Sequence, residues 1–452
     1  MNHLASAGES PPGRTVSRTD RLLLFLLLCR TASGLDVTVT KGLGSHGYSA
    51  VRVSVVDDGE NKFLPGAFTY ESRFRYRWTD RFLHTSLLST VAGAPHTFQV
   101  GGSVSNITVK LPKEGEGVKG FFFGDPCTEA DFVGCIHANM TKRLPRLVNA
   151  LSDLDYRVVL GDNWYDQAGG ITRRFFEALT NKAQAQIQVT VPGNHDFWRA
   201  GARLLRTKKD QLGNGFMQFY AQDTLAGKGN PHTTPFDFSN DPDTDSADKY
   251  GVAGVLPTAE NFLFYHTIGN AGFVGFSGAH TASSSKAAFE EACLFFLKSE
   301  PRPKIIYLNG HWNADGLGAE PEMDTMSVYK RLRVLPGCDM GALRFMMGHK
   351  HCNAVVKVAK LVDGEDGGAG RGDGAPPAPP EGYLLGGTGV RGSLECNTFG
   401  FAYVDTTGGR ELVVGFELAN ATTDKYDAIV ECIERSSIDD CLRHGTVWAN
   451  AS

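Results

Sequence analysis

Five short stretches of this 452-residue chain end in side chains that can hold a cation or move a proton. They read GFFFGDPC with Asp125, YRVVLGDNWY with Asp162 and Tyr165, and IQVTVPGNHDF with Asn194, His195 and Asp196. The last two are IIYLNGHWN with His311 and LRFMMGHKHC with His349 and His351. In each, an apolar run stops near a glycine, and a carboxylate, amide or imidazole follows. One such ending alone carries little weight, because Gly-Asp is a common turn dipeptide and a lone histidine is more often a packed residue than a ligand. Together they supply oxygen and nitrogen donors, the set that suits a pair of cations sharing a carboxylate. Two-metal sites clamp the attacking and leaving oxygens of an in-line displacement.

The elements that must carry these residues follow from the same runs. Phe121–Phe123, Val158–Leu160 and Ile187–Val191 end at Gly-led clusters and read as buried parallel strands. Asp125 and Asp162 are 37 positions apart, Asp162 and Asn194 32, and His311 and His349 38. Each interval fits one strand–helix–strand crossover of about thirty residues or more. The crossover helices read as ANMTKRLPRLVNALSDL, interrupted early by Pro145, then FFEALTNKAQAQ, SSSKAAFEEACLFFLKSE and MSVYKRLRVL. An α/β fold results, with the polar residues at the C-terminal strand edges, where open α/β sheets place their ligands. His349 and His351 reach one centre only if the chain turns between them.

The flanks read differently. DVTVT, YSAVRVSVV, FTYESRFRYRW, HTFQV and NITVKL alternate with period two, so residues 35–115 are expected to form a small β-rich N-terminal domain, with KEGEGVKG as a linker. Residues 200–260 are rich in Gly, Asn, Pro and Asp and read as long surface loops able to rim a site. Residues 362–381 are low-complexity and read as a disordered insertion. The Arg371-Gly372-Asp373 tripeptide inside it is taken as accidental rather than as an integrin contact. Residues 421–452 read as a helix and a cysteine-closed appendage.

At 41% hydrophobic and 21% charged residues the composition is that of a globular protein, and a net charge of −5 argues against nucleic acid or an anionic membrane as partner. Arg14, Arg18 and Arg21 precede the eight-residue apolar run Leu22–Cys29, and Ala32-Ser33-Gly34 offers a cleavage site. Residues 1–34 therefore read as a signal peptide, too short to span a bilayer, which points to a secreted or lumenal protein, extracellular or lysosome-like. Eight cysteines remain beyond it. Cys127 with Cys135 and Cys432 with Cys441 are plausible local disulfides, while free thiols stay open for Cys293 and Cys338. Sequons at Asn106, Asn139, Asn420 and Asn450 fit a glycoprotein.

The motifs GD, GDNWY, GNHD, GHW and GHKH, in this order, resemble those of the calcineurin-like metallophosphoesterase superfamily. Within it, GDNxY with Tyr165 is most similar to the purple (tartrate-resistant) acid phosphatases. The resemblance places a metallophosphoesterase domain at about residues 116–420. It implies a metallophosphatase-type β-sandwich of two mixed sheets flanked by helices, preceded by the small all-β domain. It also implies two metal ions. Fe(III) would be held by Asp125, Asp162, Tyr165 and His351, and a divalent Fe, Zn or Mn by Asp162, Asn194, His311 and His349. A water of lowered pKa would then attack phosphorus in a small phosphate ester. His195 would stabilise the phosphoryl oxygens or protonate the leaving group, with Asp196 orienting it or capping a helix.

This chain departs from the family pattern in two places. Pro126-Cys127 follows Asp125 where the family usually has Gly two residues after the Asp, and HWNADGLGAEPE lacks a second substrate-facing histidine, for which His280 or His232 are candidates. An acid phosphatase-like monoesterase is expected. The alternatives are a phosphodiesterase of the same superfamily and a metal-binding secreted glycoprotein with weak turnover.

Overall fold

The computed structural model describes residues 36–42, 45, 47–57, 68–75, 82–100, 106–129, 134–166, 170–196, 263–313, 319–339, 343–356, 381–391, 396 and 398–451. The expected signal peptide, the 200–260 loops with His232, and the tract holding Arg371-Gly372-Asp373 lie outside them. So does most of the expected 362–381 insertion.

Strands β1 (Asp36–Thr40), β2 (Ala50–Asp57), β3 (Phe68–Arg75) and β4 (Phe82–Ser89) open the chain, and β5 (Pro95–Gln99) with β6 (Asn106–Lys110) forms a separate two-stranded sheet. Next come β7 (Lys119–Phe123), β8 (Tyr156–Leu160) and β9 (Ile187–Val191). They are followed by β10 (Phe264–Ile268), β11 (Ala271–Gly275), β12 (Ile305–Gly310), β13 (Leu343–Met347), β14 (Asn353–Val356) and β15 (Gly382–Leu385). The last three are β16 (Phe399–Asp405), β17 (Glu411–Ala419) and β18 (Thr446–Ala451). One sheet has ten strands, in the order β18-β17-β16-β7-β8-β9-β1-β2-β4-β3; a second has six, in the order β10-β11-β12-β13-β15-β14. Both are mixed, with parallel centres: β7, β8, β9 and β1 in the first, β11, β12, β13 and β15 in the second.

The sheets pack face to face with helices outside. Phe122, Val158, Val189, Phe273 and Met346 fill the space between them. Phe121, Phe123 and Val159 point to the other face, toward α1 (Met140–Ala150), α2 (Gly170–Glu177) and α6 (Tyr426–Arg435). A second outer core joins the six-stranded sheet to α4 (Ala282–Lys298) and α5 (Thr325–Leu332). Burial on both faces explains why KGFFF and YRVVL are nearly continuous apolar runs instead of alternating ones. The expected two-sheet sandwich flanked by helices is present.

Local readings change in four places. Pro145 lies inside α1 and does not interrupt it; it is buried against the core. The crossover before β9 is two helices, α2 and α3 (Asn181–Ala185), because the Thr180 hydroxyl accepts the Ala183 N–H and starts a new one. The N-terminal strands expected as a domain of their own are continuous with the large sheet, since β1 pairs in parallel with β9 and carries β2, β4 and β3 outward. The C-terminal appendage likewise ends in β18, which pairs with β17.

Four disulfides form: Cys127–Cys135 and Cys432–Cys441 as expected, and Cys293–Cys338 and Cys352–Cys396 besides. The first of these last two removes the free-thiol reading, because α4 and the turn after α5 bring two sequence-distant cysteines together. Among the described residues no helix is long and apolar enough to cross a membrane.

Candidate metal centre

Parallel strands that end side by side bring their following residues together. Asp125, Asp162 and Asn194 follow β7, β8 and β9 of the large sheet, and His311, His349 and His351 follow β12 and β13 of the other. With Tyr165, all seven expected donors meet at this edge of the sandwich.

They form two clusters that share Asp162. In one, Asp162, His311 and His349 have donor atoms within 4.8 Å of one another, and in the other so do Asp125, Asp162 and His351. His311 Nε2 is 3.3 Å from Asp162 Oδ1 and 3.0 Å from Asn194 Oδ1. His349 Nδ1 is 3.0 Å from the same Asn194 oxygen and 3.1 Å from His311 Nε2. The Leu160 carbonyl, 2.8 Å from His311 Nδ1, can only accept, so Nδ1 carries a proton and, in the neutral ring, Nε2 has the lone pair. On the other side the Tyr165 hydroxyl donates to Asp125 Oδ1 at 3.0 Å and lies 2.9 Å from His351 Nε2, itself 3.2 Å from Asp125 Oδ1.

Such a gathering of lone pairs is unfavourable unless cations or protons sit among them, and the electrostatics show it. Burial opposes charge on Asp162, but the facing His311, His195 and His349 rings outweigh it and hold this carboxyl well below the usual range. Burial also opposes charge on His311, yet Asp162 and Asp125 push it up to about 9. His351 is raised too, its burial overcome by the Asp125 hydrogen bond. The Tyr165 phenol is raised well above its usual value by burial and by Asp125 and Asp162. The donor set therefore fits two cations, one among Asp125, Asp162, Tyr165 and His351, the other among Asp162, Asn194, His311 and His349.

Backbone geometry serves this convergence. Asp125, Asp162, Tyr165, His349 and His351 all have positive φ, between 50 and 73°. Gly193 is required because a Cβ there would collide with the Asp162 carboxylate and backbone, and Gly386 because one would meet Asp125 Oδ2 at 2.7 Å.

The expected catalytic pair separates in role. His195 is half-buried, its ring 5.3 Å from that of Tyr165, and its backbone N–H donates to Asp162 Oδ1 at 2.9 Å. Asp196 does not orient it. Asp196 Oδ1 accepts the Asn163 backbone N–H, and Oδ2 accepts the Asn163 side chain and the Gly193 N–H. Burial and the Asp162 charge raise Asp196 to about 8, against the pull of these donors. Asp196 thus ties the loop after β8 to the loop after β9. Asn163 completes the tie by also donating to the Val191 carbonyl, and it was missed as a site residue although GDN contains it.

His280, one proposed substitute for the absent histidine, lies among Leu263, Phe276, Ser277 and Ser285 beside the start of α4, and burial pushes it down to about 4. Trp312 is buried and edge-on to His311, ring centroids 5.6 Å apart. The residue after the ligand therefore packs the ligand.

Comparison with known proteins gives three results. The calcineurin-like phosphoesterase family model matches residues 130–352. The solved structure of PhoD is similar at 10% identity and a TM-score of 0.44, over 86% of this chain and 87% of that one. No curated protein matches the sequence.

Proposed function

We propose that this chain, a calcineurin-like phosphoesterase over residues 130–352, hydrolyses phosphate monoesters at a dimetal centre bridged by Asp162. The observation that carries the reading is the meeting of seven donors from two sheets, with their donor atoms facing one another at about 3 Å. When bound, the ions supply Lewis acidity and lower the pKa of the attacking water. Tyr165 favours a trivalent ion such as Fe(III) on its side, because a phenolate is a hard oxygen donor. Imidazole and amide on the other side favour a divalent Fe, Zn or Mn.

The protein's own part is orientation and proton handling. The Leu160 carbonyl fixes the His311 tautomer, and the Asp196 tie fixes the distance between Asp162 and Asn194. His195 is half-buried, its ring 5.3 Å from that of Tyr165, where its imidazole can hold a phosphoryl oxygen or give a proton to the leaving oxygen. Four disulfides support a secreted or lumenal location.

The test is a pH–rate profile on an aryl phosphomonoester and its matching diester, with Asn194→Ala as control. Monoester turnover that disappears in the control supports the proposal, and an acidic optimum assigns the purple branch. A preference for the diester makes the protein a phosphodiesterase. No turnover of either, with metals bound, leaves a scaffold that only binds.

A further inference from the structure

The donors fall into two sets that the chain holds differently. Asp125, Tyr165 and His351 all lie in left-handed backbone, at φ of 54, 51 and 50°. In the set of Asn194, His311 and His349, only His349 does, at 73°. Left-handed backbone is uncommon for any residue but glycine and, although Asp and His enter it more readily than most, it persists where the surrounding structure holds it.

That restraint is covalent. Cys127, two residues past Asp125, is bonded to Cys135, and Cys352, the residue after His351, to Cys396. The first disulfide packs with Val390 around Tyr165. Both loops are also sewn to one segment, residues 386–391. Cys127 N donates to Thr388 O at 3.2 Å, Ile136 N to Gly389 O at 2.8 Å, and Arg391 N to Gly134 O at 2.7 Å. Gly386 N donates to Cys352 O at 3.1 Å, and the Asn353 side chain exchanges two hydrogen bonds with Gly387. This segment is a strap across the loops of Asp125 and His351. The other two disulfides are placed elsewhere, and their cysteines pack in cores that contain none of the seven donors.

We infer that Cys127–Cys135 and Cys352–Cys396 are positioning groups for one metal position, that of Asp125, Tyr165 and His351, and that opening them empties this position before its neighbour. The inference rests on the dimetal reading above. A closed loop explores fewer conformations before the ion arrives, so an opened one must be ordered by the ion at a cost in affinity. The bond between Cys352 and Cys396 spans 44 residues against 8 for Cys127 and Cys135, and closes the larger share of that freedom.

The experiment loads the full chain with Zn(II) as probe, dialyses it against graded chelator and counts zinc per chain by elemental analysis. Wild type and the control pair Cys293→Ser/Cys338→Ser should hold two equivalents together. Cys352→Ser/Cys396→Ser should drop to one over a chelator range about tenfold wide or more, the usual penalty for loosening a ligand's support. Adding Asn194→Ala to that variant should remove the remaining ion, whereas adding Tyr165→Phe should not. Equal loss of both ions, equal loss in the control pair, or retention of both in the variant overturns the inference. A wild type that binds no zinc defeats the dimetal reading itself, and the inference falls with it. Should the serine pair not fold, zinc-loaded wild type is treated with a phosphine reductant. Release of one equivalent ahead of the other supports the inference, and release of both together overturns it.

Discussion

The two ends of the sandwich are built from similar material and do different things. Four parallel strands carry a polar residue near their start and a site residue just past their end: Tyr156 and Asp162 on β8, Tyr307 and His311 on β12, Arg344 and His349 on β13, Tyr383 and Gly386 on β15. Three to six residues at about 3.3 Å each put the two ends roughly 10–20 Å apart. At the starting end Arg344 Nε donates to Glu411 Oε2 at 3.2 Å, joining the two sheets. Burial and the nearby Glu411 charge keep Tyr307 and Tyr383 protonated, and burial with Asp155 and Glu411 does so for Tyr156. That buried cation meets a buried anion, while Arg157 beside Tyr156 donates to the Gln188 side chain and the Ala183 carbonyl. At the finishing end two carboxylates, three imidazoles, an amide and a phenol have no such internal balance, and the backbone that holds them is left-handed. The Arg344–Glu411 charges balance each other and join the sheets, whereas the donors at the finishing end are gathered around a shared centre.

Substitutions at the two ends should therefore separate activity from stability. Asp162→Ala removes the shared ligand and should cut kcat/KM by about a thousandfold or more, the several kcal/mol that metal catalysis supplies, with little change in melting temperature. A large fall in melting temperature would mean that the finishing end also carries the fold. Arg344→Met leaves Glu411 buried and unpaired, and should cost about 3–5 kcal/mol in chemical denaturation while kcat/KM of the folded fraction stays at the wild-type value. Asp196→Asn puts an N–H donor where three N–H groups converge, and metal retention against a chelator should weaken about 10–100-fold as the two loops come apart.

The smallest effect is a pH slope. Burial raises Glu411 above 4.5 despite Arg344 beside it. The native state then keeps this proton to higher pH than the unfolded chain does. The group's contribution to stability is full below the usual glutamate range and is lost as pH rises through the raised native value. Calorimetry over a pH series should show the wild type losing melting temperature relative to Glu411→Gln on going upward from about pH 4.5. Parallel curves would show that Arg344 fully offsets the burial.

The finishing end was legible in the sequence and the starting end was not. Asp125, Asp162, Asn194, His311, His349 and His351 each interrupt an apolar run near a glycine, so their type contrasts with what precedes them. Tyr156 and Arg344 open the runs YRVVL and LRFMM, where an aromatic or a long cation reads as an ordinary strand terminus. Their meaning comes from Glu411, contributed by another strand, which no local pattern can announce. Asp196 was placed beside His195 on sequence adjacency, but the turn after β9 aims it back at Asn163. Period-two alternation in DVTVT and YSAVRVSVV identified strands correctly; it carried no information on whether they would stand apart or pair with β9. Cys293 and Cys338 failed for the same reason, since helical spacing says nothing about which helix comes to meet it.

Metal analysis of the purified chain joined to anomalous diffraction decides whether Asp162 is shared by two ions. Two ions per chain are expected. Both should contact Asp162, one among Asp125, Tyr165 and His351 and the other among Asn194, His311 and His349. A single ion, or two that do not share Asp162, would contradict it.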